Sequence, residues 1–454
     1  MLKFLENIFF LILFSFAHSQ IILDLNFNNS INNDAHSIFG LHSIFGLDSK
    51  ITTNICLGVK PQCFDLVLHH NSFFLMVHLY KENLTENENT NIKLYEIEKS
   101  SSVKKSKLYI KTYYYHNIVR FYEGTEKLSI NNKNINDINF IMLFSRENYD
   151  IYYPNFDDID GYLGLGYIPN KREEDFALIY QLYKKKIISH KIFSLKYINE
   201  SKGQLTISQI PKYILKDFQH FGRCSAINDS FYHEEDNKNW ECMLDSFYYK
   251  NEEKNKISIN MNERVLLLNF NQKNFVSSTL FNSFGKNYFK KALQEKKCNI
   301  TNIWQNILYQ CDNNIVNQMP NITFVFGEFE IEFNNKDLFE NVGNISIFNF
   351  YYKPFNKYFQ NSFGISMLKK FEMIYDYDNK EIGFYGEKIK FIGKKVEFEK
   401  GSIKSSQNNL FLIILIISFG AIFVSFLYSK IYLSKKHSKN ESGDLSKEMI
   451  NIEN

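Results

Sequence analysis

Residues 57–77 have the sequence LGVKPQCFDLVLHHNSFFLMV. This stretch predicts two strands on either side of a turn at Lys60-Pro61, because proline punctuates apolar runs and presets a turn conformation. The second strand ends in four polar residues, His69-His70-Asn71-Ser72, and apolar residues resume at Phe73. A buried strand that ends in a tight polar loop and then returns to the core presents side chains at a site.

Length and composition describe a sizeable globular protein. The chain has 454 residues, of which 44% are hydrophobic and 23% charged, which suits two lobes that each bury a core. The formal net charge is +3, so no strong basic field points to nucleic acid. Nucleic acid is therefore not expected as a partner.

The two ends of the chain predict targeting and anchoring to a membrane. Lys3, an apolar core and Ala17-His18-Ser19 predict a cleaved signal peptide over residues 1–19. Residues 410–428, LFLIILIISFGAIFVSFLY, carry no charge and are long enough for a transmembrane helix; the alternative is a buried core helix. Lysines follow this segment, which places residues 429–454 in the cytoplasm. The expected protein is a type I single-pass protein of the secretory pathway or cell surface.

The cysteines and glycosylation motifs suit a body that lies in the lumen or outside the cell. The six cysteines form three local couples, Cys56 with Cys63, Cys224 with Cys242, and Cys298 with Cys311, although six cysteines allow fifteen connectivities. The first couple flanks the Lys60-Pro61 turn and could face across a hairpin. Because Cys-x-x-Cys is absent from the sequence, zinc or thioredoxin-type chemistry is not expected. Seven Asn-x-Ser/Thr motifs are glycosylation candidates: Asn28, Asn83, Asn199, Asn228, Asn299, Asn321 and Asn344.

From residue 51 the pattern is that of a mainly β protein with a few short helices. Short apolar or alternating runs are separated by clusters of Asn, Asp, Gly and Lys, which is typical of strands joined by turns. Strands are expected at residues 64–68, 73–79, 107–115, 138–144, 162–167, 192–197, 203–207 and 265–268, hairpins at 322–333 and 371–385, and helices at 174–184 and 277–294.

The two halves of the chain repeat one motif. An apolar strand ends in a polar loop at His69, and a second one ends at Asn269-Phe270-Asn271-Gln272. Gly164 and Gly364 follow His69 and Asn269 at the same spacing of 95 residues. Equal spacing in both halves predicts a duplicated lobe.

The chain resembles the pepsin-like aspartic peptidases over residues 52–391. Residues 57–77 resemble that family's first active-site segment, a strand followed by Asp-Thr-Gly-Ser, and residues 265–271 resemble the second. Further similar stretches are FDDIDGYLGLGY at 156–167, GQLTI at 203–207, Trp240, Cys311 with PNITF at 320–324, and SFGISMLKKFEMIYDYDNKEIGFY at 362–385. The resemblance implies an all-β, bilobal fold with a cleft between two duplicated lobes. The expected organisation is a first lobe at 20–200, a second at 201–396 and a stalk at 397–409.

The resemblance implies chemistry that this sequence does not carry. Such peptidases use two carboxylates that share one proton, one to activate water and the other to protonate the substrate carbonyl. His69 and Asn269 replace the two aspartates, and Asn71 and Asn271 replace the two glycines. Because asparagine has no titratable proton, no shared-proton dyad can form. Catalysis is therefore not expected, and no catalytic residue, metal or cofactor is predicted.

The other candidate catalytic or metal-binding residues in the sequence have weaker support. Tyr113 lies where the family's flap tyrosine would fall, but its segment lacks the flap glycines and also suits a plain tyrosine-rich strand. A metal site at His69-His70 is disfavoured because adjacent strand residues point to opposite faces. Asp65, Asp158 and Asp160 are candidate replacement carboxylates, each with a structural alternative, and Asp376 is expected to serve a turn. Ser72 beside His70 is not sufficient for a nucleophilic couple.

Three functions remain open at the level of the sequence. The favoured hypothesis is a membrane-anchored, non-catalytic member of the fold that binds a peptide or protein in or near the cleft. The second is an active aspartic-type endopeptidase with an unrecognised catalytic arrangement. The third is a structural or adhesive surface protein for which the cleft is irrelevant.

Overall fold

The computed structural model describes a mostly β protein. The described residues are 20–29, 49–69, 72–79, 92–113, 117–130, 133–147, 159–167, 173–199, 201–211, 213–227, 240–251, 253–268, 274–303, 306–354, 361–364 and 369–392. The strands are β1 (Ile21–Asn29), β2 (Ser49–Leu57), β3 (Gln62–His69), β4 (Leu75–His78), β5 (Lys104–Tyr113), β6 (Asn117–Ile130), β7 (Lys133–Glu147), β8 (Gly161–Gly164), β9 (Ile192–Asn199), β10 (Lys202–Ile207), β11 (Phe221–Ser225), β12 (Glu241–Lys250), β13 (Lys256–Leu266), β14 (Asn274–Phe275), β15 (Cys298–Ile303), β16 (Asn306–Asp312), β17 (Ile322–Phe326), β18 (Phe329–Phe333), β19 (Phe339–Val342), β20 (Ile345–Phe348), β21 (Phe350–Tyr351), β22 (Asn361–Ser362), β23 (Glu372–Asp376), β24 (Glu381–Tyr385) and β25 (Ile389–Phe391). The helices are α1 (Leu178–Lys184), α2 (Ser278–Ser283), α3 (Lys290–Gln294), α4 (Asn313–Val316) and α5 (Asn335–Leu338).

Three sheets organise these strands. A 13-stranded sheet has the order β11-β24-β23-β9-β10-β1-β2-β3-β8-β4-β7-β6-β5, an 8-stranded sheet β21-β14-β22-β13-β12-β17-β18-β25, and a 4-stranded sheet β15-β16-β20-β19. The first sheet takes β11, β23 and β24 from the second half of the chain and pairs β23 with β9. The expected lobe boundary between residues 200 and 201 falls inside the β9–β10 hairpin, which belongs to this shared sheet.

The β2–β3 hairpin forms as expected around the Lys60-Pro61 turn. Phe64, Leu66 and Leu68 alternate along β3 and are buried in the main core. Cys56 lies directly opposite Cys63 in the ladder and forms a disulfide with it. The other two neighbour pairings, Cys224–Cys242 and Cys298–Cys311, are also disulfides. All three predicted couples are therefore confirmed.

The strand predictions are confirmed with shifts at their ends. The hairpin β17–β18 matches the prediction to the residue, and the hairpin β23–β24 begins one residue later than predicted, at Glu372, and ends as predicted at Tyr385. In contrast, β4 begins only at Leu75 and β5 covers Lys104–Tyr113. The strand expected at 162–167 is shorter, since β8 ends at Gly164. The backbone N–H of Leu165 still donates to His69, the last residue of β3, whereas the N–H of Gly166 donates to Ser72 beyond that strand.

The predicted helix at 277–294 is wrong as one continuous helix. It consists of α2, a π-helical turn over Phe284–Tyr288, and α3. Phe284 and Phe289 are both fully buried, and the N–H of Phe289 donates to the carbonyl of Phe284 at 2.9 Å. In a π-helical turn, whose hydrogen bonds join residues five apart, Phe284 and Phe289 lie on nearly the same side of the helix. The π turn therefore lets both rings enter the same core. The helix expected at 174–184 is likewise a 3-10 turn over Glu173–Asp175 followed by α1.

No described helix is both long and apolar enough to cross a membrane. The segment 410–428, for which a membrane span is predicted, lies outside the described residues, as do the predicted signal peptide, stalk and cytoplasmic tail.

Candidate functional site

The loop after β3 is built around a strand from later in the chain. β8 inserts between β3 and β4 and pairs parallel with β3 and antiparallel with β4. His69 lies level with Gly164 in the parallel ladder. The second half has the same arrangement, because β22 pairs parallel with β13 and antiparallel with β14. The two polar loops therefore start from equivalent frameworks.

Backbone hydrogen bonds close the first loop. The N–H of Leu165 donates to the His69 carbonyl at 2.9 Å, and the N–H of Gly166 donates to the Ser72 carbonyl at 2.7 Å. A Cβ atom at Gly164 would lie 2.5 Å from the Ser72 carbonyl oxygen, closer than real contacts allow. Glycine at this position is thus required by the close approach of two backbones rather than by an unusual turn.

His69 lies at the end of β3 in an apolar setting. Its ring contacts the Tyr162 ring edge-on, with 4.8 Å between the centroids. Burial disfavours the charged imidazolium and lowers the pKa of His69 to about 4. The side chain is therefore neutral across the ordinary range of cellular pH.

An apolar wall lies on the same face of the sheet as His69. It is a cluster of buried side chains from β3, β4, β7, β8 and the residues just before β8, with Phe74 and Phe121 packed against it: Val67, Met76, Ile141, Leu143, Ile159 and Tyr162. Strand alternation explains the wall, since Val67 and His69 are two residues apart and share one face. The His69 ring therefore borders a buried apolar cluster through Tyr162.

The β13–β22 ladder, which leads into the second loop, has a register that differs by one residue from the sequence spacing. Leu266 is level with Ser362 in the β13–β22 ladder, and extending that register by two residues brings Leu268 level with Gly364. In the first half the corresponding pair is His69 and Gly164. The register thus favours Leu268 over Asn269 as the counterpart of His69. Six of the predicted site residues lie outside the described residues: His70, Asn71, Asn269, Phe270, Asn271 and Gln272.

The comparison with known proteins agrees with this framework. A sequence model of the eukaryotic aspartyl protease family matches residues 50–386. The chain belongs to this family. No curated protein matches the chain.

In an aspartyl protease, the residue that ends the first active-site strand, level with the glycine at the position of Gly164, supplies a carboxylate, as the resemblance above implies. Here that position is His69, and neither Leu268 nor Asn269 has a carboxyl group in the second half. A neutral imidazole can accept a proton, but it has no second acid at the described framework with which to share one.

The candidate replacement carboxylates serve the fold. Asp160 is buried and accepts hydrogen bonds from the backbone N–H groups of Asp65 and Lys93, both at 2.8 Å. The Asp65 carboxylate is half exposed and accepts from Asn54 Nδ2 at 2.8 Å, with Lys93 Nζ at 3.3 Å. Asp376 accepts from the backbone N–H and the amide of Asn379, which confirms its expected place in a turn. Asp158 lies outside the described residues.

The remaining predicted site residues are placed as follows. Tyr113 ends β5 opposite Asn117, which begins β6, and its side chain is not among those described. Among the described residues no group of three or more His, Cys, Asp or Glu could hold a metal ion. Four candidate glycosylation asparagines are exposed: Asn199, Asn299, Asn321 and Asn344. Asn28 lies in β1, and Asn83 and Asn228 lie outside the described residues.

An aromatic floor, which the sequence analysis missed, ties the loop frameworks of this aspartyl protease homologue together. Trp240 Nε1 and the Tyr377 hydroxyl both donate to the Leu165 carbonyl, at 3.0 and 3.1 Å, and the Tyr375 hydroxyl donates to the Leu267 carbonyl at 2.8 Å. Trp240 contacts both tyrosine rings. Burial raises the pKa of both tyrosines, so they remain donors. The signals in the sequence are the family-like position of Trp240 and the alternation of Tyr375 and Tyr377 around Asp376.

Proposed function

We propose that this chain is a membrane-anchored, non-catalytic aspartyl protease homologue that binds an extended peptide in the cleft between two lobes. The observation that carries the proposal is His69, which is neutral and packed against Tyr162 where an active family member needs a carboxylate. The β3–β8–β4 framework and the apolar wall support retention of a peptide-binding surface without the acid–base pair. Backbone hydrogen bonds and apolar pockets can hold an extended peptide in the absence of catalysis.

The sequence supports the anchored, lumenal arrangement. Residues 410–428 are proposed as the membrane span, with the following lysines on the cytoplasmic side. The three disulfides suit an oxidising compartment such as the secretory lumen or the cell surface. Protease protection of the full-length protein in microsomes tests this topology: digestion of the body, rather than of residues 429–454, would contradict it.

The catalytic part of the proposal is tested with full-length protein in detergent. We expect no pepstatin-sensitive cleavage of denatured protein or of a fluorogenic peptide library between pH 3 and 7. Pepstatin-sensitive turnover would instead support an active endopeptidase with an unrecognised arrangement.

The binding part of the proposal is tested on the apolar wall. Phe121 is half-buried beside the wall, so Phe121→Ala is expected to weaken binding of selected library peptides at least tenfold, with a small decrease in melting temperature because its ring packs against the wall. Ile198→Ala is the matched control, because Ile198 is 56% exposed on β9. Peptide binding that is indifferent to Phe121→Ala, or no peptide binding at all, would favour a structural or adhesive role instead.

A further inference from the structure

A polar groove lies along the 8-stranded sheet, and none of its lining residues belongs to the His69 loop. Its volume is about 490 Å³, within the range of roughly 300–1,000 Å³ typical of ligand pockets. The strands β12, β17, β18 and β25 form it, and its lining includes Tyr248, Asn321, Thr323, Glu330, Glu332 and Lys390. We refer to it as the Asn321 groove.

The groove contains a complete glycosylation motif. Asn321 and Thr323 are the first and third residues of Asn-Ile-Thr, and both line the groove. Asn321 is exposed, and its Nδ2 donates a hydrogen bond to Glu332 Oε1 at 3.0 Å. The other described and exposed candidates, Asn199, Asn299 and Asn344, do not line it.

The side chains around Asn321 suit a carbohydrate. The Glu330 carboxylate already accepts a hydrogen bond from the Tyr248 hydroxyl at 2.9 Å, and Lys390 Nζ lies 3.6 Å from its other oxygen. Carboxylates accept from sugar hydroxyls and ammonium groups donate to them, and charged partners strengthen such bonds. After glycosylation, Asn321 Nδ2 keeps one N–H, which can still donate to Glu332.

We propose that the Asn321 groove seats the first sugars of an N-linked glycan attached to Asn321. The proposal depends on the lumenal placement of the body and is independent of whether the cleft binds peptide. The transfer forms a bond between Asn321 Nδ2 and C1 of the first sugar. It breaks the bond from that C1 to a phosphate oxygen of a lipid-pyrophosphate-linked oligosaccharide, and Nδ2 gives up one proton.

The fold dictates when the transfer takes place. Thr323 is 4% exposed and lies in β17 between Tyr248 of β12 and Glu332 of β18. A transferase that must reach this threonine can do so only before β17 joins the sheet. The glycan is therefore added to the unfolded chain, and the groove closes around it as the sheet forms.

The test uses full-length protein from an N-glycosylating eukaryotic host, with glycopeptide mass spectrometry at each motif. During native digestion with a peptide N-glycosidase, we expect the Asn321 glycan to be released at least tenfold more slowly than the Asn344 glycan. Asn344 is the matched control because it lies exposed in the turn between β19 and β20. Denaturation is expected to abolish the difference.

Two surface substitutions test whether the groove side chains themselves, rather than general burial of the site, slow the release of the Asn321 glycan. Glu332→Ala with Lys390→Ala is expected to reduce the release ratio towards one, whereas the exposed Glu253→Ala is expected to leave it unchanged. Three outcomes would overturn the proposal. They are an Asn321 that carries no glycan, equal release rates at Asn321 and Asn344, and a release ratio that Glu332→Ala with Lys390→Ala leaves unchanged.

Discussion

His69 shows how a position in the fold can fix the charge of a side chain. Strand β3 delivers its imidazole to a site beside Tyr162, and burial there lowers its pKa to about 4. An aspartate at the same position would be a candidate acid or base at acid pH, whereas this histidine is neutral until the pH falls far below its usual range. The residue therefore gives this position an uncharged imidazole in place of a carboxylate.

This displaced pKa predicts a pH dependence of stability. The folded-state pKa of His69 is below the unfolded value of about 6.5, so the unfolded chain binds the proton first as the pH falls. We expect the free energy of unfolding to decline between about pH 6.5 and 4, by up to roughly 3 kcal/mol. In His69→Gln this contribution is expected to vanish from urea unfolding curves measured across the window. An unchanged slope in the variant would contradict the assignment.

Glu126 is a buried carboxylate held by four donors. The Tyr95 hydroxyl donates to it at 2.7 Å, the backbone N–H of Lys127 donates at 2.7 Å, and the hydroxyls of Ser100 and Ser102 donate as well. Burial alone would raise its pKa, but the hydrogen bonds outweigh burial and lower the pKa of Glu126. The carboxylate is thus a structural anion that joins β6 to the segment before β5.

Substitution of this anion is expected to be costly. Glu126→Gln turns one acceptor oxygen into a donor that faces other donors, and we expect a loss of about 2–4 kcal/mol in the free energy of unfolding at neutral pH. Because the folded pKa is lowered, the stabilisation is present above the unfolded pKa of about 4.3 and is lost as the pH falls through the folded value. Glu98→Gln on the exposed 3-10 turn is the control and is expected to change stability by less than about 0.5 kcal/mol.

At the scale of elements, the parallel insertion of β8 and β22 determines what the loops can present. The N–H groups that follow β8 bond to the first loop, and Trp240 and Tyr377 bond to the carbonyl of Leu165 in the same turn. The hydrogen bonds from the aromatic floor therefore help to fix the position of the backbone at Leu165, to which the first loop is bonded. It joins a residue just before β12, a residue just after β23 and the turn after β8 into one packed unit.

The aromatic floor predicts coupled mutational effects. Tyr377→Phe removes bonds to the Leu165 and Gly166 carbonyls and is expected to cost about 1–2 kcal/mol, while Trp240→Phe also leaves a cavity and is expected to cost about 2–4 kcal/mol. Because both side chains donate to one carbonyl, the double variant is expected to deviate from additivity by at least about 0.5 kcal/mol. Chemical denaturation measures this cycle, with the exposed Tyr183→Phe as the neutral control. Strict additivity would show that the two donors act independently.

At the scale of the molecule, the shared 13-stranded sheet joins the two halves. The strands β9 and β10 meet β23, β24 and β11 from the far end of the chain, and the main core extends from Ile21 to Ile389. The Cys224–Cys242 disulfide then connects β11 of this sheet to β12 of the 8-stranded sheet. This covalent bond thus links two sheets, close to a backbone hydrogen bond from the N–H of Ile227 to the carbonyl of Glu241 at 2.9 Å.

Removal of that bond is expected to weaken the whole molecule. The Cys224→Ala, Cys242→Ala pair opens a link between residues 18 apart, and we expect a loss of about 3 kcal/mol in the free energy of unfolding. Hydrogen exchange is expected to increase in β11 and β12. The comparison is Cys56→Ala with Cys63→Ala, which opens a link within one hairpin and is expected to raise exchange only in β2 and β3. If exchange in β11 and β12 did not increase more in the Cys224→Ala, Cys242→Ala variant than in the hairpin variant, the disulfide would have no role in joining the sheets.

The sequence by itself determined the β architecture and the absence of the two aspartates, and it favoured the neighbour disulfides that the structure then confirmed. These features are local: strand alternation, turn residues and residue identity act over a few positions. Only the tertiary structure set the register that pairs Leu266 with Ser362, at a spacing of 96 residues rather than the 95 of the sequence motif, since ladder register depends on pairing with a distant strand. It alone decided that helix 277–294 widens into a π turn, because the core dictates where Phe284 and Phe289 must meet. It also assigned Asp65 and Asp160 to the fold and placed Trp240 beneath the turn at Leu165, because hydrogen-bond partners up to 95 residues apart meet only in the folded chain.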